Sequence, residues 1–208
     1  MENVLIDRGC FLGLATSAIE AYNRETNGFL VGNRATRTLR SRPRPVTVLR
    51  AAVPLQTADR KPNWVTHGNL QAFARAQRAI EGLDVGYEVL GGFHSHTGDD
   101  GNAQLSATDL EYARDELRRL RRLRSTDRVR WLEVVLALRR KAWSRPHRIG
   151  WSPRSYRRKI GCTVALSPTQ GYDLTIGAFW VEAAPDGEPG AWDVLGTQEA
   201  QVVLPWSP

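Results

Sequence analysis

An α/β domain with a mixed sheet is the fold this sequence predicts. Apolar runs of strand length recur at 28–32, 46–53, 88–96, 131–138, 160–166 and 174–181. Stretches with helical spacing of apolar residues fall between them at 14–22, 70–80 and from 106 onward. The runs around 29 to 53 follow one another too closely for helical crossovers throughout, so the sheet cannot be all parallel.

Each element has its own signal. Leu14, Ala18, Ile19 and Tyr22 share one side of a short amphipathic helix. Phe29, Leu30 and Val31 form a strand bounded by Gly28 and Gly32, which suggest a bend or a close backbone approach. Residues 34–45 are a basic connection, read as a hairpin into the next strand at 46–53. Residues 57–67 read as a loop before the helix at 70–80. The central strand at 88–96 is nearly continuous in apolar residues until its histidines, and a polar loop at 97–104 follows. Ser106 starts and caps the next helix, with Asp109 in its first turn, where a carboxylate is favoured. Leu110, Ala113, Leu117 and Leu120 mark its buried face. Asp115 stands in position to pair with Arg119 one turn on.

After the strand at 131–138, residues 139–153 read as a loop rich in Arg and Trp. Two further strands follow, then a polar turn at 185–189 and an extended tail at 192–208. One domain is expected over 1–184, with 185–208 as a C-terminal extension packed on it or partly flexible.

Composition narrows the function classes. At 208 residues, 41% hydrophobic and with seven tryptophans, the chain can bury a core, which argues against global disorder. Cys10 and Cys162 are far apart and form no CxxC pair, so they read as small buried hydrophobes in a reducing compartment. With no secretory signal and no membrane-length apolar stretch, a cytoplasmic protein without a membrane partner is expected. The net charge of +7 comes mostly from arginines at 34–50, 114–130 and 139–159. Such surfaces can attract nucleic acid or an acidic protein face. No zinc-finger spacing or RNA-binding signature accompanies them, so a solvated basic surface is the simpler reading.

The chemistry concentrates at Gly91-Gly92-Phe93-His94-Ser95-His96. Only four histidines occur in the chain, and two of them sit here one residue apart. Residues i and i+2 of a strand share a face, so His94 and His96 point the same way. Asp109, from the next element, can add a carboxylate. Two imidazoles and a carboxylate form a zinc site with an open position for water. On spacing alone, solvent-facing histidines beside a helix cap explain these residues equally well. His67 and His147 have no such partners and read as structural or exposed.

This region resembles the JAMM motif of the JAB/MPN metalloproteases, which is His-x-His, seven residues, Ser, two residues, Asp. Here His94-Ser95-His96 is followed by nine residues and then Ser106-Ala107-Thr108-Asp109. The loop is two residues longer, and Thr97 replaces the proline common after the second histidine. The extra pair falls within Gly98-Asp99-Asp100-Gly101, which makes Asp99 and Asp100 alternative ligands. A second match lies about seventy residues upstream, where Glu25-Thr26-Asn27-Gly28-Phe29-Leu30-Val31-Gly32 is similar to the family's Glu-x-x-Gly-x-Leu-x-Gly.

The resemblance covers residues 1 to 145 and implies a curved, mixed sheet flanked by helices, JAB/MPN-like and cytidine-deaminase-like. It implies Zn2+ held by His94, His96 and Asp109, with Glu25 as general base and later acid, and Ser106 stabilising the tetrahedral oxyanion. The implied reaction is hydrolysis of a peptide or isopeptide bond at the C-terminus of a ubiquitin-like protein, by deconjugation or precursor processing. The implied partners are that protein or its conjugate, with activating (E1-like) and conjugating (E2-like) enzymes. The implied setting is a bacterial conjugation or antiviral defence system. The regions 43–61 and 139–153 flank the motif strands and are the candidate walls of a groove for a second protein. Two other classes compete: a catalytically inactive MPN scaffold and a basic nucleic-acid-associated protein.

Overall fold

Two thirteen-residue strands, β2 (Asn27–Leu39) and β3 (Arg42–Pro54), form a long antiparallel hairpin. The basic connection expected at 34–45 is therefore mostly strand: Arg34 pairs with Thr47 and Arg37 with Arg44. The computed structural model describes residues 2–39, 41–56, 58–61, 64–67, 70–82, 86–97, 101–124, 129–156, 158–183 and 195–205.

Around that hairpin lie β1 (Asn3–Ile6), α1 (Arg8–Glu20), β4 (Ala58–Lys61), β5 (Trp64–His67), α2 (Leu70–Glu81), β6 (Glu88–Thr97) and α3 (Ala107–Arg124). Next come β7 (Arg130–Ala142), β8 (Gly150–Tyr156), β9 (Lys159–Ala165), β10 (Gln170–Ala183), β11 (Leu195–Glu199) and β12 (Gln201–Val203). The main sheet runs β12-β1-β3-β2-β6-β7-β10-β9-β8, with β11 also paired to β10. Its β1–β12, β1–β3 and β6–β7 ladders are parallel and the rest antiparallel. The expected mixed, curved sheet flanked by helices is the observed architecture.

Several local differences have simple causes. The first helix begins at Arg8 rather than near Leu14, because Asp7 caps it by accepting the Cys10 N–H at 2.9 Å. Residues expected as a loop at 57–67 contain the small β4–β5 hairpin, whose charged Asp59, Arg60 and Lys61 break the apolar alternation that marks a strand. The strand expected to end at Leu138 continues to Ala142, since Arg139 and Lys141 both reach Asp173 across the β7–β10 ladder. The former loop at 139–153 therefore holds the end of β7 and the start of β8. In α3, Asp115 pairs with Arg118 rather than Arg119, whose guanidinium goes to Glu116. In the tail at 192–208, β11 pairs with β10 and β12 with β1. The turn expected at 185–189 lies outside the described residues.

The sheet separates two apolar clusters. On one face Phe11, Leu14 and Ala18 of α1 pack with Leu132, Leu136, Ile176 and Trp180. On the other, Phe73 of α2 and Ala113, Leu117 and Leu120 of α3 pack with Phe29, Val31 and Trp131. The buried face expected for α3 is thus largely the observed one. Cys10 and Cys162 are buried free thiols, as expected. Burial pushes the Cys162 thiol up to about 11 and raises Cys10 further. Among the described residues no helix is long and apolar enough to cross a membrane.

Candidate metal centre

The central strand β6 carries the site because its backbone fits tightly between neighbours. Any Cβ at Gly91 would lie 1.7 Å from the Leu132 carbonyl oxygen, so only glycine permits the close β6–β7 approach. That ladder sets His94 beside Val135 and His96 beside Ala137. Both imidazoles lie on the α3 side of the sheet, next to the Glu133–Val135–Ala137 row of β7.

Asp109 reaches them from the first turn of α3. Ser106 accepts the Asp109 N–H through its hydroxyl at 3.2 Å, and Asp109 Oδ2 accepts the Ser106 N–H at 2.6 Å. This reciprocal cap aims one carboxylate at both histidines. Asp109 Oδ1 lies 3.2 Å from His94 Nε2, and Oδ2 lies 3.4 Å from His96 Nε2. The two Nε2 atoms are 3.0 Å apart. Donor atoms from the three residues all fall within 4.8 Å of one another. Two imidazole nitrogens and a carboxylate oxygen converging on one point are a donor set that fits Zn2+.

Behind His94 stands a residue the sequence reading passed over. Glu133 is 2% exposed and brings Oε1 to 2.7 Å from His94 Nδ1. Its Oε2 accepts the Trp131 indole N–H at 2.7 Å. The signal was a lone acid inside the apolar run 131–138, because a buried carboxylate needs partners. Asn102 was also passed over; its carbonyl lies 3.4 Å from His96 Nδ1. Both outer contacts turn Nε2 toward the cluster.

The charges follow from these contacts. Burial pulls the His94 imidazolium down, but hydrogen bonds with Asp109 and Glu133 outweigh it and push the pKa up to about 10. Burial raises the Asp109 carboxyl, yet hydrogen bonds from His94 and His96 hold it far below the usual carboxylate range. Glu25 sits just before β2, two residues from Asn27, which pairs with His94. Its neighbour Thr26 donates its N–H to Ser95 Oγ at 3.0 Å and accepts the Ser95 N–H at 2.9 Å. Burial raises the Glu25 carboxyl above its ordinary value; the charges of His94 and His96 lower it, and Asp109 raises it. Glu25 is thus electrostatically coupled to all three candidate ligands.

Five of the residues singled out from the sequence, Glu25, His94, His96, Ser106 and Asp109, therefore lie at one place in the fold. Asp99 and Asp100 lie outside the described residues. His67 ends β5, away from β6 in the chain's pairing. His147 is exposed and packs on the Trp143 ring at 4.5 Å.

A family model described as prokaryotic homologs of the JAB domain matches residues 8–148. The chain belongs to this family. The JAB match takes in Glu25, both histidines, Ser106, Asp109 and also Glu133. Among solved structures, this JAB domain is similar to protein DSY2949 from Desulfitobacterium hafniense, with 16% identity and a TM-score of 0.48. That likeness covers 97% of this chain and 92% of the other. No curated protein matches the sequence.

Proposed function

We propose that this JAB domain is a zinc-dependent peptidase or isopeptidase that cleaves at the C-terminus of a ubiquitin-like protein. The observation that carries the reading is the coupling of a raised, half-buried Glu25 carboxyl to the His94–His96–Asp109 cluster. A spectator acid would have no reason to stand there, whereas a general base needs a raised pKa beside the place where water is activated.

His94, His96 and Asp109 would hold the metal, and a bound Zn2+ supplies Lewis acidity toward water and a substrate carbonyl. Glu25 accepts a proton from the attacking water. It then returns that proton to the departing amine, since the same carboxyl can serve as base and acid in turn. The Ser106 hydroxyl accepts the Asp109 N–H and keeps its own hydrogen to donate toward developing negative charge. Glu133 and Asn102 hold the two rings so that Nε2 stays directed inward.

Family membership and the motif resemblance support the substrate class. Conjugating or activating enzymes as partners, a cytoplasmic location and a role in bacterial conjugation or antiviral defence belong to this reading too.

The deciding experiment is zinc stoichiometry followed by turnover. The expected result is about one zinc per chain, lost in His94→Ala, His96→Ala and Asp109→Ala. Fusions of ubiquitin-like proteins to a reporter should then be cleaved by the wild-type protein and not by zinc-replete Glu25→Ala. Protein that takes up no zinc overturns the enzyme reading and favours an inactive scaffold. Zinc uptake with no cleavage of any such fusion overturns the substrate class.

A further inference from the structure

A cavity of about 250 Å3 lies on the same sheet face as the histidines, lined by Gly101, Arg139, Arg154, Gly161, Thr163 and Asp173 among others. Its position follows from strand register. His96 pairs with Ala137, Ala137 with Thr175, Thr175 with Gly161, and Gly161 with Arg154. Cross-strand partners share a face, so this row runs from a candidate metal ligand straight to Arg154. Gly161 has no side chain, which leaves room above it, whereas Ala137 is covered by Ala103 of the loop that divides the cavity from the histidines. The adjacent row is Arg139, Asp173 and Thr163. Leu174 and Cys162 also line the cavity, although their side chains belong to the core on the opposite face. Gly101 closes the near side and directly precedes Asn102, the carbonyl partner of His96. The cavity and the metal cluster therefore share one loop.

The charge of the cavity is unbalanced. Asp173 takes Lys141 at 3.2 Å, Arg139 at 3.3 Å and the Thr163 hydroxyl at 3.0 Å. Burial raises its carboxyl, but hydrogen bonds from Thr163, Lys141 and Arg139 hold it below its ordinary value. One carboxylate thus already serves two cations. Arg154 is exposed, and no carboxylate among the described residues pairs with it. A guanidinium fork beside hydroxyls and a second arginine is suited to a carboxylate.

We propose that this cavity is a specificity subsite for an acidic side chain of the substrate polypeptide. The inference rests on the hydrolase reading above for the word substrate. Gly161 and Arg154 lie three and four strand spacings from His96, about 14 to 19 Å at ~4.8 Å per strand. An extended chain covers that in about four to six residues. The acidic residue therefore lies about four to six positions from the scissile bond.

The test uses the Glu25→Ala protein, with and without zinc, so that nothing is cleaved. The probes are acetylated, amidated glycine peptides of about six residues, carrying one Glu, Gln or Lys at either end, and binding is followed by NMR titration. The Glu peptides should bind about tenfold tighter than the Gln peptides. Arg154→Glu should abolish that preference and favour Lys, while Arg154→Lys retains part of it. Zinc content of Arg154→Glu should equal that of its parent, which shows the fold is intact. The subsite is overturned if Glu, Gln and Lys peptides bind alike, if none binds at millimolar concentration, or if the preference survives Arg154→Glu. Failure of the hydrolase reading is separate: it is absence of zinc uptake or turnover in the unmutated protein, with the Glu preference intact.

Discussion

His94 Nδ1 and Glu133 Oε1 lie 2.7 Å apart, and Glu133 holds its other oxygen against the Trp131 indole. The carboxylate is held at both oxygens, so once His94 gives up a proton the hydrogen that stays on the neutral ring is the one at Nδ1. The remaining nitrogen, Nε2, is the one facing Asp109 and His96.

Removing that support should weaken the metal site without deleting a ligand. Glu133→Ala is expected to lower zinc affinity about 10- to 100-fold, the usual cost of losing an outer hydrogen-bond partner. Trp131→Phe should cost less, because it removes one donor to Glu133 and leaves the His94 contact. Competition with a chromophoric chelator measures both. Equal affinity in wild type and Glu133→Ala would show that the ring is oriented by Asp109 alone.

Metal uptake should depend steeply on pH, in a direction set by His94. Its pKa in the metal-free fold is pushed up to about 10. The imidazolium pair with Asp109 and Glu133 therefore stabilises the metal-free fold below the ordinary histidine value, and that contribution is lost as pH rises through about 10. A metal needs the neutral ring, so zinc must displace this proton throughout the neutral range. Affinity should rise by about one log unit per pH unit between roughly pH 7 and pH 9. Calorimetry in buffers of different ionisation enthalpy should show about one proton released from His94 per zinc bound. A pH-independent affinity would mean that His94 is already neutral.

Ser106 has one duty in the fold and a second in the proposed mechanism. As a helix cap it accepts the Asp109 N–H, and as the proposed oxyanion donor it would spend its own hydrogen. Glycine caps a helix nearly as well as serine, at a cost of only a few tenths of a kcal/mol. Ser106→Gly should thus leave thermal stability almost unchanged while lowering turnover about 100- to 1000-fold, the loss typical of one oxyanion donor. Turnover that tracks stability instead would assign Ser106 to the cap alone.

What the sequence made legible follows the reach of local signals. His94 and His96 share one strand face, and Ser106 and Asp109 share one helical turn, so short spacings encode their geometry. Glu25 became readable through a second short motif, not through its distance from the histidines. Glu133 stayed hidden because His94, its distant partner, becomes its neighbour only when β6 and β7 pair, although Trp131 stands two residues away on the same strand face. The same reason hid the cavity: Arg154, Gly161 and Asp173 meet through the β10–β9–β8 meander. Strand ends were misjudged where charges pair across the sheet. Arg139 and Lys141 look like loop residues until Asp173 stands opposite them.

The loop between the histidines and α3 is two residues longer than the motif it resembles, and Gly177 shows how the sheet receives it. A Cβ at Gly177 would lie 2.7 Å from the Ala103 carbonyl oxygen. Ala103 is fully buried against Val135, Ala137 and Phe179, so the loop is pinned one residue beyond the carbonyl that holds His96. Gly177→Ala should lift this segment off β10, because loop backbone gives way more easily than a paired strand. The expected cost is about 1–3 kcal/mol of stability, as for other overpacked sites. Zinc affinity should fall with it, since Asn102 then loses its hold on His96. Gly91→Ala makes the contrast: its Cβ would lie 1.7 Å from the backbone oxygen of Leu132, inside the β6–β7 ladder, where no loop can yield. That variant should fail to fold, whereas Gly177→Ala should unfold cooperatively at a lower Tm with weakened zinc binding. A Gly177→Ala protein with normal zinc affinity would show that the longer loop reaches the metal site without leaning on the sheet.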